Sequence, residues 1–150
     1  ADATMVNEEG AGPLLAASVG GHGSIVKMLL EDAKVNPNQQ DIDGTTALMT
    51  ASIRGHKAIV LDLIKAGAQL NAQNMEGHSA LMFAYNGMVQ VEHLTEKYKE
   101  YMEVNVDSHT KKLEQSLSEH SFIVNTLISN GADPLMKDRE NHRATDFSSR

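Results

Sequence analysis

The sequence predicts an all-α fold in which short helix-turn-helix units stack side by side into a solenoid. Two observations predict it: sequence patterns that recur with a period in the thirties, and apolar residues spaced three and four positions apart within each unit. The chain has 150 residues, of which 41% are hydrophobic, so it can bury a core of its own. A single domain over residues 1–150 is therefore expected.

The first recurring pattern is His-x-x-Ile-Val-x-x-Leu followed by Leu or Ile. It begins at His22, at His56 one repeat period later, and at His120 almost two periods after that. The glycines around its first copy, in SVGGHGSIV, resemble a phosphate-binding loop. However, no strand is indicated before them and no Lys-Ser or Lys-Thr follows, as such a loop requires. They are interpreted as the turn within one repeating unit.

A second pattern, Gly-x-small-Pro/Ala-Leu, precedes each copy of the first. Three copies begin at Gly10, Gly44 and Gly77, and the altered fourth copy NHRAT begins at residue 141. Thr46 is placed to cap a first helix, and Gly67 is placed to end a second one. Each unit is therefore expected to contain two helices and a turn.

These patterns resemble the ankyrin repeat. The resemblance implies that the chain is a solenoid of helix-turn-helix repeats with β-turn or hairpin fingers. Repeat 1 would cover about residues 7–37, repeat 2 residues 41–72, repeat 3 residues 74–135, and a half-repeat cap residues 138–150. The chain departs from the family where the motif histidine is replaced. The replacing residues are Leu15, Met49, Met82 and Asp146. These changes weaken a hydrogen-bond network but preserve helix packing.

Repeat 3 carries a long insertion, residues 88–118, between its two helices. The insertion contains neither Pro nor Gly, and its apolar residues keep a helical spacing. Both helices of repeat 3 are therefore expected to extend into an antiparallel hairpin that projects roughly 20 Å beyond its neighbours. Asn86 and Gly87 mark a place where the first arm can bend.

Composition argues against several classes of partner. The net charge is −7 and no Lys/Arg run occurs, which disfavours nucleic-acid binding. No apolar segment is long enough for membrane insertion. The chain lacks cysteine, and an intracellular, monomeric protein is expected.

The sequence predicts no enzyme, with no catalytic residue, no cofactor and no metal site. His22, His56 and His120 occupy one equivalent position in three repeats, which indicates a structural role. Serine is frequent, but no Gly-x-Ser-x-Gly motif occurs. The short Asp41-x-Asp43-Gly44 motif lacks the later ligands of a calcium loop and is interpreted as a finger turn.

The resemblance instead implies that another protein binds at the finger tips and on exposed inner-helix residues. Apolar or aromatic side chains at four of these positions are candidate hot spots: Ile42, Ile53, Met75 and Tyr85. The remaining implied partner-binding residues are Asp43, Thr45, Arg54, Glu76, His78, Asn86, Arg139, Glu140 and His142.

The prediction is a non-catalytic protein–protein interaction module that uses the finger tips and the concave inner-helix face, with the hairpin as a second surface. An alternative remains open. The chain would then be a regulatory subunit or targeting adaptor of an enzyme, docking through the helical hairpin at residues 88–118. Deletion of the hairpin distinguishes the two hypotheses.

Overall fold

The computed structural model describes the backbone of residues 12–101, 108–144 and 146. It describes their side chains too, except those of residues 95, 98–101 and 108–110. Over these residues the regular elements are helices, in agreement with the all-α prediction. They are α1 (Pro13–Gly20), α2 (Gly23–Glu31), α3 (Ala47–Arg54), α4 (Lys57–Lys65), α5 (Ala80–Tyr101) and α6 (Ser108–Ser129). An isolated antiparallel bridge joins Lys137 to Arg143.

The helices form two layers. In one layer α3 packs between α1 and α5, and in the other α4 packs between α2 and α6. The first layer is built from short side chains that let helices approach closely. Ser18 and Ser52 are fully buried, and each hydroxyl donates to the carbonyl oxygen four residues earlier, at 2.8 and 2.6 Å. These internal bonds satisfy the hydroxyls without a partner from the neighbouring helix.

The helix ends follow from single residues. Gly21 and Gly55 end α1 and α3 with φ of 73° and 76°, a left-handed conformation that glycine adopts most easily. Thr46 caps α3 as predicted, because its Oγ1 accepts a hydrogen bond from the Met49 N–H at 3.3 Å. Met49, which replaces the histidine of the ankyrin pattern that the sequence resembles, is buried, and its sulfur accepts a hydrogen bond from the Thr46 N–H.

Helices α5 and α6 are much longer than the others, at 22 residues each against eight or nine. They contact each other, and only residues 102–107, outside the described part, separate them in sequence. So short a connection makes the pair antiparallel. The helix α5 runs through Asn86 and Gly87 without interruption.

Gly87 instead allows close packing at the point where the long helices meet the repeats. A Cβ atom at Gly87 would lie 2.5 Å from the Ile53 carbonyl oxygen and 2.7 Å from Nε2 of His120. The buried His120 ring lies across this junction, with Nε2 at 2.8 Å from the Ile53 oxygen and Nδ1 at 2.7 Å from the Ser116 oxygen. His120 thus joins α6 to the end of α3, the structural role expected for it.

Replacing Gly87 with Ala is expected to destabilise the fold despite the better helix propensity of alanine. The propensity gain is about 1 kcal/mol, whereas forcing a methyl group against backbone and a buried ring costs about 1–3 kcal/mol. Urea unfolding followed by circular dichroism measures the net change. Gly23→Ala is the control, because the nearest atom to its added Cβ is Ile59 Cγ1 at 3.9 Å. Equal stability changes in both variants would contradict the packing role of Gly87.

Candidate functional site

Three turns with the same hydrogen bonds form the finger tips, here called the first finger (residues 41–45), the second (74–78) and the third (138–142). Each begins with Asp41, Asn74 or Asp138. The side-chain Oδ1 of that residue accepts bonds from the backbone N–H groups two and four residues later, at 2.8 to 3.0 Å. This shared use of one side-chain oxygen fixes the turn in all three fingers.

Backbone hydrogen bonds join each finger to the next. The Met75 N–H donates to the Asp43 carbonyl at 2.9 Å, and the Arg139 N–H donates to the Glu76 carbonyl at 3.0 Å. Gly77 lies at this contact with φ of 81°, and a Cβ there would be 2.8 Å from the Arg139 nitrogen. Both its conformation and its surroundings therefore require glycine.

The second and third fingers enclose a cleft of about 400 Å³, here called the fingertip cleft. Its lining residues are Met75, Glu76, His78, Asp138, Arg139, Glu140 and His142. Six of the seven are among the residues predicted from sequence to bind a partner, although they come from two segments that lie far apart in the chain. The remaining residue, Asp138, was not predicted as a site residue.

Asp138 lies at the centre of the cleft's polar contacts. Its side chain is only 2% exposed, and its Oδ2 lies 3.2 Å from Nε2 of His78 and 3.5 Å from Nδ1 of His142. The outer carboxylates contact the same two rings, since Glu76 Oε2 is 3.2 Å from His78 Nδ1 and Glu140 Oε2 is 3.6 Å from His142 Nδ1. The two imidazoles are thus held between an inner carboxylate and two outer ones.

The environment of Asp138 favours its charged form. Burial by itself raises the pKa of the carboxyl group, but hydrogen bonds from the backbone N–H groups of His142 and Glu140 act in the opposite direction. The nearby imidazoles of His142 and His78 add to that effect, and the net result is a pKa below the usual aspartate value. The cleft therefore keeps a buried negative charge at its base.

Apart from the cleft residues, Ile42 is well exposed, at 62%, and Asp43 and Arg54 are also exposed. Met75, which lines the cleft, is 56% exposed. Thr45 and Asn86 are half-buried.

The expected exposure of several predicted positions needs correction. Ile53 and Tyr85 were predicted as exposed hot spots but are half-buried, and Tyr85 packs against the core. The two fingertip histidines, His78 and His142, have side chains that are only 25% and 32% exposed, because they turn toward Asp138.

A signal for Asp138 was present in the sequence. Asn74 follows Asp41 by one repeat period, and Asp138 follows Asn74 by one period plus the length of the predicted insertion, so the predicted repeat frame assigns all three to one position. Their shared ability to accept two turn hydrogen bonds identifies them as the residues that shape the fingers.

Neither metal ligation nor membrane insertion is indicated by the described part of the chain. Within it, no group of three or more His, Cys, Asp or Glu residues is arranged to hold a metal ion. Among its helices, none combines the length and apolar character needed to cross a membrane.

Comparison with known proteins finds similarity to ankyrin repeats. A family model described as "Ankyrin repeats (3 copies)" matches residues 1–74. The chain is 38% identical over 76 residues to mouse ankyrin repeat and SAM domain-containing protein 6, and 37% identical to its rat counterpart. Each alignment covers 51% of this chain and 9% of the relative. Zebrafish ankyrin repeat domain-containing protein 29 is 42% identical over 53 residues, or 35% of this chain and 18% of that protein. The chain therefore corresponds to a small part of each.

Asp138 contributes to stability both through its turn hydrogen bonds and through its charge, and two substitutions separate these effects. Asp138→Ala removes the acceptor of two turn hydrogen bonds and is expected to cost about 1–3 kcal/mol of unfolding free energy. Asp138→Asn is expected to keep those bonds, as Asn74 does in the second finger, while removing the charge. Urea unfolding at pH 7 measures both changes.

The pH dependence gives a second, independent measurement. Because its pKa is lowered in the folded state, the Asp138 charge stabilises the fold above the unfolded pKa of about 3.9, and this stabilisation disappears as pH falls through the folded pKa. Asp138→Asn should therefore lose less stability than the unmodified chain between pH 5 and pH 3. Identical acid profiles for the two proteins would contradict the charge assignment.

Proposed function

We propose that the chain is a non-catalytic protein–protein interaction module, because a family model of ankyrin repeats matches residues 1–74 and ankyrin repeats are a fold that binds other proteins. A partner contacts the three joined finger tips and the concave face of the inner helices. The observation that carries this proposal is the exposure of Ile42 and Met75 on neighbouring fingers, beside the fingertip cleft. Large apolar side chains at such positions do not stabilise the fold and are typical anchors of protein interfaces.

The inner-helix face provides the second part of the proposed surface. Arg54 at the end of α3 is exposed, and Ile53 and Tyr85 are half-buried. A partner would therefore contact only the exposed edges of Ile53 and Tyr85, because neither side chain protrudes from the surface. We therefore expect the fingers to make the larger apolar contribution to binding and the inner helices a smaller one.

We further propose that the repeat frame continues beyond residue 74, with repeat 3 at residues 74–135 and a half-repeat cap at 138–150. The polar contacts at the base of the repeats support this division. The Asn38 Oδ1 accepts a bond from the Gln69 N–H at 2.6 Å, and the Asn71 Oδ1 accepts one from the Asp133 N–H at 2.7 Å. The same contact thus recurs one repeat later, on the far side of the insertion.

The insertion at residues 88–118 supplies a second candidate surface, through which the chain would serve as a regulatory subunit or targeting adaptor of an enzyme. One observation favours it: Leu94, on the part of α5 inside the insertion, is 47% exposed. An apolar side chain of this size on a long helix is suited to a helical partner.

Affinity capture with three baits, identified by mass spectrometry, tests which surface binds. The first bait is the unmodified chain, and the second carries Ile42→Ser and Met75→Ser. The third lacks residues 88–118 and carries Glu119→Gly, because Glu119 then takes the position at which Gly55 has a φ of 76°. We expect the fingertip double variant to bind its main partner with an affinity at least about tenfold lower, which corresponds to about 1.4 kcal/mol of binding free energy.

Matched substitutions control for exposed apolar area. Met28→Ser and Leu61→Ser remove side chains that are 52% and 42% exposed on the outer helices, so they should leave that partner bound. Circular dichroism confirms that each bait is folded. A partner lost only with the deletion would replace the fingertip proposal with the adaptor hypothesis, and turnover of a substrate by the purified chain would overturn the non-catalytic assignment.

A further inference from the structure

We propose that the joined finger tips bind a basic, extended segment of the partner protein, with Lys or Arg side chains opposite an acidic row and an apolar side chain against Ile42 and Met75. This inference rests on the proposed function and specifies the chemistry of the partner. It follows from the side chains that lie next to one another at equivalent positions of the three fingers.

Equivalent positions of the three fingers form rows across the surface. The row that begins at residue 42 contains Ile42, Met75 and Arg139. The adjacent row contains Asp43, Glu76 and Glu140, all carboxylates and all exposed. The backbone bonds between neighbouring fingers fix these rows relative to each other. An apolar pair therefore stands directly beside a continuous line of negative charge.

The fingertip cleft extends this negative surface inward. Its lining contains three carboxylates and one guanidinium, an excess of two negative charges when the imidazoles are neutral. The Glu76 and Glu140 side chains are 77% and 82% exposed, so an incoming cation reaches them before losing its own hydration. Asp138 lies behind them and, because its pKa is lowered, keeps its charge at neutral pH. A cationic side chain is thus attracted from the rim to the base of the cleft.

The size of the cleft suits a peptide side chain. Its volume of about 400 Å³ lies within the roughly 300–1,000 Å³ that is typical of ligand pockets. An Arg side chain fits this chemistry best, because its planar group donates two parallel hydrogen bonds to one carboxylate. An acidic peptide or a nucleic acid would meet unfavourable charge on the same surface, as it would on the whole chain at a net charge of −7.

Selection from a random peptide library, displayed on phage and screened against the full 150-residue chain, tests the inference. We expect the enriched peptides to contain Lys or Arg within a few positions of a large apolar residue. The dissociation constant of the most enriched peptide is then measured by isothermal titration calorimetry at two salt concentrations. Its affinity should fall as salt rises, because exposed charges contribute to binding.

Charge-matched variants identify where the peptide binds. Glu76→Gln with Glu140→Gln is expected to weaken binding by about tenfold or more. Glu31→Gln with Asp32→Asn removes two exposed carboxylates at the end of α2 and changes the net charge equally, so it should leave binding almost unchanged. Met75→Ser should weaken binding more than Met28→Ser, although the two methionines are similarly exposed, at 56% and 52%.

The outcomes separate this inference from the proposed function. Enriched peptides that lack basic residues, but lose binding in the Ile42→Ser, Met75→Ser variant, would overturn the basic-segment proposal while supporting the fingertip interface. Peptides that bind all fingertip variants equally would overturn both proposals. Failure to recover any peptide with fingertip-dependent binding would also count against both.

Discussion

The backbone hydrogen bonds between neighbouring fingers are the constraint on which the proposed binding surface depends. They run from the Met75 N–H to the Asp43 carbonyl and from the Arg139 N–H to the Glu76 carbonyl. Their geometry requires a residue without a side chain at Gly77, where any Cβ would meet the backbone of the next finger. Because these bonds fix the separation of the fingers, side chains at equivalent positions come into line, and residues far apart in sequence line one cleft.

A second constraint concerns the predicted insertion at residues 88–118. Its described residues, 88–101 and 108–118, belong to α5 and α6, so their backbone polar groups are satisfied within each helix. The junction with the repeats is kept by Gly87 and His120, which bring α5 and α6 against the Ile53 carbonyl. The two helices that flank the predicted insertion therefore both remain packed against α3.

The sequence predicted those features that recur in the repeat frame. Period, capping by Thr46 and the helix-ending glycines were recognisable because the same residue types return at the same positions. The exposure of Ile53 and Tyr85 was wrong, because it depends on how closely neighbouring inner helices approach, which a pattern of residue types does not specify. Asp138 was overlooked because its importance comes from two histidines contributed by different fingers. Gly87 was expected to let α5 bend, whereas the structure shows that it lets α5 approach the Ile53 carbonyl oxygen of α3 closely.

Within each finger, different groups shape the turn and face the surroundings, which supports the proposal that a partner binds there. The turn is shaped by one side-chain oxygen, from Asp41, Asn74 or Asp138, and by a residue that tolerates positive φ. Positions 75 and 139 and positions 43, 76 and 140 contribute backbone groups to these bonds, so the turn accepts many side chains there. Core positions such as Leu48 and Leu81 have no such freedom, because each is almost completely buried. The apolar and acidic side chains on the fingers are consequently the part of the sequence that packing explains least, as the proposed role in partner binding requires.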